Sequence, residues 1–120
     1  MRFNIPRVLL CSFLMAALLG GCQSSEDKVA EYLDSAKELL AKKEYNKAQL
    51  QVRNALKIDN RQAKAYMLLA DIYSRQAKYQ PMYAALTQAT EIDDKNADAF
   101  RQLAKLLLMG ADLDKSQENL

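Results

Sequence analysis

Chemistry in this chain would have to be built from few groups, because it contains no histidine. Without imidazole, the usual general base near neutral pH and the commonest metal ligand are both missing. Glu91, Asp93 and Asp94 could in principle divide acid and base work as neighbouring carboxylates. They fall, however, in a polar turn between two apolar runs, where solvated acids are the ordinary occupants. The stretch Asp94-Lys95-Asn96-Ala97-Asp98 begins like a calcium loop, but Ala99 stands where that loop needs glycine and Lys105 where it needs a bidentate glutamate. With three glycines in the chain there is no phosphate-cradling loop and no nucleophile elbow. The sequence therefore predicts no catalytic residue, no cofactor and no metal site.

The thiols are more informative. Cys11 lies inside an apolar stretch and Cys22 at its end, so neither a disulfide nor free-thiol chemistry is expected of the remainder. Met1 to Arg7 carries two positive charges, and Val8 to Leu19 is almost wholly apolar. That is a charged segment followed by an apolar one of secretory length, well short of the roughly 20 residues a bilayer span requires. The four residues Leu19-Gly20-Gly21-Cys22 then resemble the lipobox of bacterial lipoproteins, with leucine three positions before the cysteine and small residues between. The resemblance implies a signal peptide over 1–21, cleavage before Cys22, and fatty acylation (diacylglyceryl, palmitate or a similar chain) at Cys22. Several acyl chains, each methylene contributing roughly 0.8 kcal/mol, would hold such a protein to a membrane. The residue after the cysteine is Gln23 rather than aspartate, which by the same resemblance implies the periplasmic side of the outer membrane. Residues 22–28, polar and without apolar periodicity, are expected to form a short tether.

The formal charge of +2 comes from Arg2 and Arg7; beyond residue 21 the chain carries 15 basic and 15 acidic side chains. Nothing in that balance calls for a nucleic-acid partner. Sparse glycine and proline, with half the residues hydrophobic, suit a helical protein with short connections.

The elements that organise these residues come in a repeat. Tyr66, Leu69, Ala70 and Tyr73 fall on one helical face, and Tyr79, Met82, Leu86 and Ala89 on a second, separated by a polar turn. Shifted by 34 residues the chain matches itself: Tyr32, Tyr66 and Phe100; Ala36, Ala70 and Ala104; Leu39, Tyr73 and Leu107; Ala55 and Ala89; Ile58 and Ile92; Asp59 and Asp93. A period of that length with two helices per unit marks a helical solenoid. The predicted class is all-α, with units over 29–62 and 63–96 and a third, partial unit over 97–120. That third unit is expected to turn after Gly110 and enter a second helix at Leu113. Its short second helix reads as a truncated unit of a longer array, the alternative being that another chain covers the end.

These units resemble tetratricopeptide repeats. The middle unit supplies Tyr66, Leu69, Ala70, Tyr73, Tyr79, Leu86 and Ala89 at the family's positions, with Met82 where alanine is usual and Asp94 where proline is usual. The first supplies Tyr32, Ala36, Leu39, Tyr45, Ala48, Val52 and Ala55, with Ser35 and Asn60 as its departures. The resemblance implies that the first helix of each unit lines a concave surface. Peptide-binding candidates there are Leu33 and Lys37, then Lys64, Met67, Asp71 and Arg75, then Arg101 and Lys105, with Leu40 and Leu108 beside them. Apolar and charged groups alternate along this face with a slight basic lean. That suits an extended peptide, although solvated helix faces have the same composition. Leu33 and Leu68 occupy two places where family members that clamp a C-terminal carboxylate use polar groups.

Together these features imply a lipid-anchored scaffold or adaptor that joins proteins in a bacterial envelope assembly. Leader plus repeats resemble the lipoproteins of exopolysaccharide and protein-sorting (PEP-CTERM) systems. A pilotin of type IV pilus assembly or the recognition module of an envelope enzyme would fit the same outline. Replacing Cys22 by serine should release the protein from the membrane fraction and remove the mass of the acyl groups. Unchanged retention at unchanged mass would contradict lipidation.

Overall fold

The computed structural model describes residues 23–118; the expected signal peptide and Cys22 lie outside them. Over those residues the protein is all-α, with helices α1 (Ser25–Ala41), α2 (Tyr45–Ile58), α3 (Ala63–Arg75), α4 (Tyr79–Ile92) and α5 (Ala97–Glu118). The 34-residue period holds in space as it does in sequence: α4 begins and ends 34 positions after α2, and α5 begins 34 after α3.

Helix α1 starts earlier than its apolar pattern suggests, so the expected tether over 22–28 is corrected: Ser25 to Lys28 are helical. The cause is a capping box. Ser24 Oγ accepts the Asp27 N–H at 3.1 Å, and the Asp27 carboxylate accepts the Ser24 N–H at 3.2 Å. Two of the unpaired donors of a helix start are thereby satisfied, and Glu26 and Asp27 sit at the positive end of the helix dipole.

Both hairpin turns close in the same way. The N–H of Glu44 donates to the Leu39 carbonyl at 2.8 Å and that of Lys43 to Leu40 at 2.9 Å. In the next hairpin Lys78 donates to Tyr73 at 2.9 Å and Ala77 to Ser74 at 3.0 Å. This paired pattern needs a left-handed residue after the helix, and Lys43 (φ 61°) and Ala77 (φ 54°) provide it although neither is glycine. The turns between units repeat as well, with Asp59 accepting the Arg61 N–H at 3.0 Å and Asp93 that of Lys95 at 3.1 Å.

Packing follows chain order. The tightest contacts join α1 to α2 and α3 to α4, lighter ones join α2 to α3 and α4 to α5, and α1 also touches α3. Small residues sit where helices approach: Ala36, Ala48, Ala55, Ala65, Ala70, Ala89 and Ala99 are fully buried, with Val52, Ile72 and Leu86 among them. Gln49 Nε2 donates to the Tyr73 hydroxyl at 2.8 Å, tying α2 of one pair to α3 of the next.

The expected turn after Gly110 is absent, because α5 runs unbroken from Ala97 to Glu118. A glycine inside a helix costs roughly 1 kcal/mol relative to alanine, which is too little to stop one. The earlier hairpins are held by a return helix packed on Ala36 or Ala70; in α5 continued i to i−4 bonding keeps the backbone groups satisfied.

Glycine at position 43 or 77 should stabilise the protein, since a left-handed non-glycine residue carries roughly 1 to 2 kcal/mol of strain. Part of that gain is offset by the greater freedom of the unfolded chain, about 0.4 to 1 kcal/mol. Lys43→Gly and Ala77→Gly should each raise the thermal midpoint by a few degrees in circular dichroism, and a fall in either would contradict the turn geometry. A second expectation concerns acid. The Arg61 N–H and the Gln62 amide hold the Asp59 carboxyl below its ordinary range, and the hydrogen bond and charge of Lys47 do the same for Glu44. A lowered native pKa means that the unfolded chain binds protons first as pH falls, so this stabilisation is present at neutral pH and is lost on acidification through the carboxylate range. Asp59→Asn should therefore lose less thermal stability than the parent between about pH 6 and about pH 3, the range spanning ordinary carboxylate titration. An equal loss would contradict the assignment.

Candidate functional site

Helices α1 and α3 and the start of α5 surround a hollow of about 310 Å³, lined by Leu33, Lys37, Lys64, Met67, Leu68, Asn96 and Asp98. The alternation of helices explains its position. Each α1-type helix shares its α2-type partner on one side, which leaves its opposite face to meet the next helix of its own kind.

Leu33 forms the floor and is nearly buried at 8% exposure. Met67 and Leu68 are half-buried beside it, while Lys37, Lys64 and Asp98 are exposed at the rim. Asn96 is fixed by structure, since its Oδ1 accepts the Ala99 N–H at 3.0 Å and so caps α5. The rim charges are held loosely. Lys37 pairs with Asp34 at 3.0 Å and Asp98 with Arg101 at 2.6 Å, both within one helix and both well exposed. Pairs of this kind contribute roughly 0 to 1 kcal/mol, so a ligand carboxylate could replace Asp34 with little loss. Among the described residues Lys64 takes part in no ion pair.

Of the eight residues singled out from the sequence, Leu33, Lys37, Lys64 and Met67 meet in this hollow. Arg101 adjoins it through Asp98. Asp71 and Arg75 lie further along α3 and bond to each other at 3.1 Å. Lys105 is elsewhere, on a second hollow of about 350 Å³ with Ser74, Tyr79, Met82, Gln102, Leu106 and Met109. Leu40, assigned to the same face, is buried in the core, and Leu108 is exposed.

Leu68, Asn96 and Asp98 were not among the sequence candidates. Leu68 sits between the register positions used for the count. In the sequence Asn96 and Asp98 stand out only as part of an incomplete calcium loop, although an asparagine just before an alanine-rich helical run is itself a capping signal. Among the described residues no group of three or more His, Cys, Asp or Glu side chains gathers to hold a metal. No described helix is long and apolar enough to cross a membrane.

The lining offers an apolar floor, two ammonium groups, a carboxylate and an amide. That combination can hold an extended segment through one aliphatic side chain and flanking charges. No protein-family model matches the chain, and no curated protein does either.

Proposed function

We propose that the protein is a membrane-anchored scaffold: a tetratricopeptide-type helical array, tied to lipid through Cys22, whose inner face holds a peptide segment of an envelope protein. The observation that carries this reading is the convergence of α1, α3 and α5 on one hollow where Leu33, Lys37, Lys64 and Met67 meet. The exact 34-residue repetition of helix bounds and turn hydrogen bonds supports the array. The leader and the Leu19-Gly20-Gly21-Cys22 sequence support anchoring at the periplasmic side of the outer membrane, among the components of an exopolysaccharide or protein-sorting assembly.

The ligand chemistry that suits the hollow is an aliphatic side chain next to one or two carboxylates. Leu33 and Met67 take the apolar group, and the ammonium groups of Lys37 and Lys64 take the acids. Lys37 and Lys64 are more suitable probes than Arg75 and Arg101, because both lysines line the hollow and neither arginine does.

Lys37→Glu combined with Lys64→Glu alters only exposed rim groups and should leave helical content unchanged. Binding of acidic, leucine-bearing peptides, followed by fluorescence anisotropy against a peptide array, should weaken by about tenfold or more, equivalent to roughly 1.4 kcal/mol. Undiminished binding of every peptide that the parent retains would overturn the reading.

A further inference from the structure

The two junctions between successive units share a register but are filled differently. At the first, Leu40 of α1, Ala48 of α2 and Ile72 of α3 belong to one core cluster, and all three are at most 5% exposed. One repeat later the same places hold Ser74, Met82 and Leu106. Ser74 is exposed and Leu106 only partly buried, and the second hollow, of about 350 Å³, opens among them. The helix contacts differ in the same sense: α1 touches α3, but no comparable contact joins α3 to α5. Met82 is larger than Ala48 and takes up part of the space, yet the isobutyl group that Leu40 supplies at the first junction has no counterpart. The hollow lies on the side of α5 that meets the preceding pair. Its lining residues Gln102, Lys105, Leu106 and Met109 correspond to Leu68, Asp71, Ile72 and Arg75 of α3. In α1, which has no described helix before it, the place of Ile72 is taken by the exposed Glu38, so burial at that position comes from the pair that precedes. Arg75 is exposed although its own return helix is in place, so the exposure of its counterpart Met109 is a property of the position.

We infer that this second hollow is a socket for a leucine-sized aliphatic side chain with a carboxylate next to it, presented by a peptide segment of another protein. The first junction shows the size and chemistry of the group that completes the site, because there Leu40 completes it. Met82 and Met109 line the socket with flexible thioethers, side chains that adapt readily to an inserted apolar group. Charge selects the neighbour. Lys105 lines the same hollow, is exposed, and takes part in no ion pair among the described residues. No acid stands three or four positions from it, where the sequence has Arg101, Gln102, Leu108 and Met109. Its ammonium group is therefore open to a ligand carboxylate. The amide of Gln102 and the hydroxyls of Ser74 and Tyr79 add hydrogen-bonding groups around the apolar patch, which suits a peptide main chain better than a bare hydrocarbon. The socket extends the peptide-binding reading to a second site, and it can fail while the first hollow stands.

The test uses the full chain in lipid nanodiscs, with isotopically labelled methionine methyl groups followed by NMR. Met67 reports on the first hollow and Met82 and Met109 on the second, while Met1 and Met15 lie in the leader. The probe is a blocked peptide of glycine and serine that contains one leucine followed by aspartate; the control peptide has serine in place of the leucine. The leucine peptide should shift the Met82 and Met109 methyl signals and the control should not. Ser74→Leu restores the residue of the first junction. It should raise the thermal midpoint by a few degrees and weaken the binding read at Met82 and Met109 by about tenfold or more, with the response of Met67 unchanged. Lys105→Glu, at an exposed position, should weaken the same two responses by about threefold or more, which keeps the test independent of how position 74 repacks. Met82 and Met109 unmoved by the leucine peptide, moved as far by the control, or equally responsive in both variants would each overturn the proposal. A shift confined to Met67 would overturn it too and leave the first hollow's reading intact, whereas the expected response at Met82 and Met109 with none at Met67 would uphold the socket alone.

Discussion

The structure depends on how closely two helices can approach at a small side chain. Ala36 and Ala70 are fully buried at the centres of their pairs, facing return helices that carry Ala48, Val52 and Ala55 or Met82, Leu86 and Ala89. Close packing at these crossings excludes water from a core that contains no buried polar or charged residue among those described. Larger groups there would separate the helices and forfeit dispersion contacts along their whole length. The spacing of the pairs, and with it the position of the hollow between α1, α3 and α5, follows from that distance.

Local chemistry and pair packing reinforce each other. Each hairpin turn is made by a left-handed residue that is intrinsically strained, yet the two backbone bonds it permits satisfy carbonyls that would otherwise end the helix unpaired. The strain is tolerated because the return helix is held by its apolar face. In α5 no turn forms at the equivalent position, and the backbone continues in its regular bonding to Glu118. One register thus yields two outcomes along the described residues.

The concave hollow has a different character from the core. Its floor comes from the repeat pattern, since Leu33 and Met67 are equivalent positions of successive units. Its rim comes from charges whose ion pairs lie within single helices and contribute little to stability. A surface of this kind can exchange internal partners for external ones without disturbing the alanine contacts beneath. Only the rim charges stand apart from the fold, since Leu33 belongs both to the floor of the hollow and to the core.

Sequence alone determined the helix pairs, because apolar spacing within a helix and a 34-residue period between helices are properties of the chain. Tyr45, Ile58, Tyr79 and Ile92 mark ends that the structure keeps. The early start of α1 was also written locally, in Ser24 and Asp27, but polarity masked it: the residues that cap a helix are the same ones that form a tether. The unbroken course of α5 was not legible, since Gly110 is compatible with either outcome. Nor could counting along one helix separate Leu33 and Leu40, which sink toward the core, from Lys37, which stays in water, or bring Asn96 and Asp98 to the rim. Those assignments depend on how one helix lies against its neighbours, and that geometry is set by contacts between residues distant in the chain.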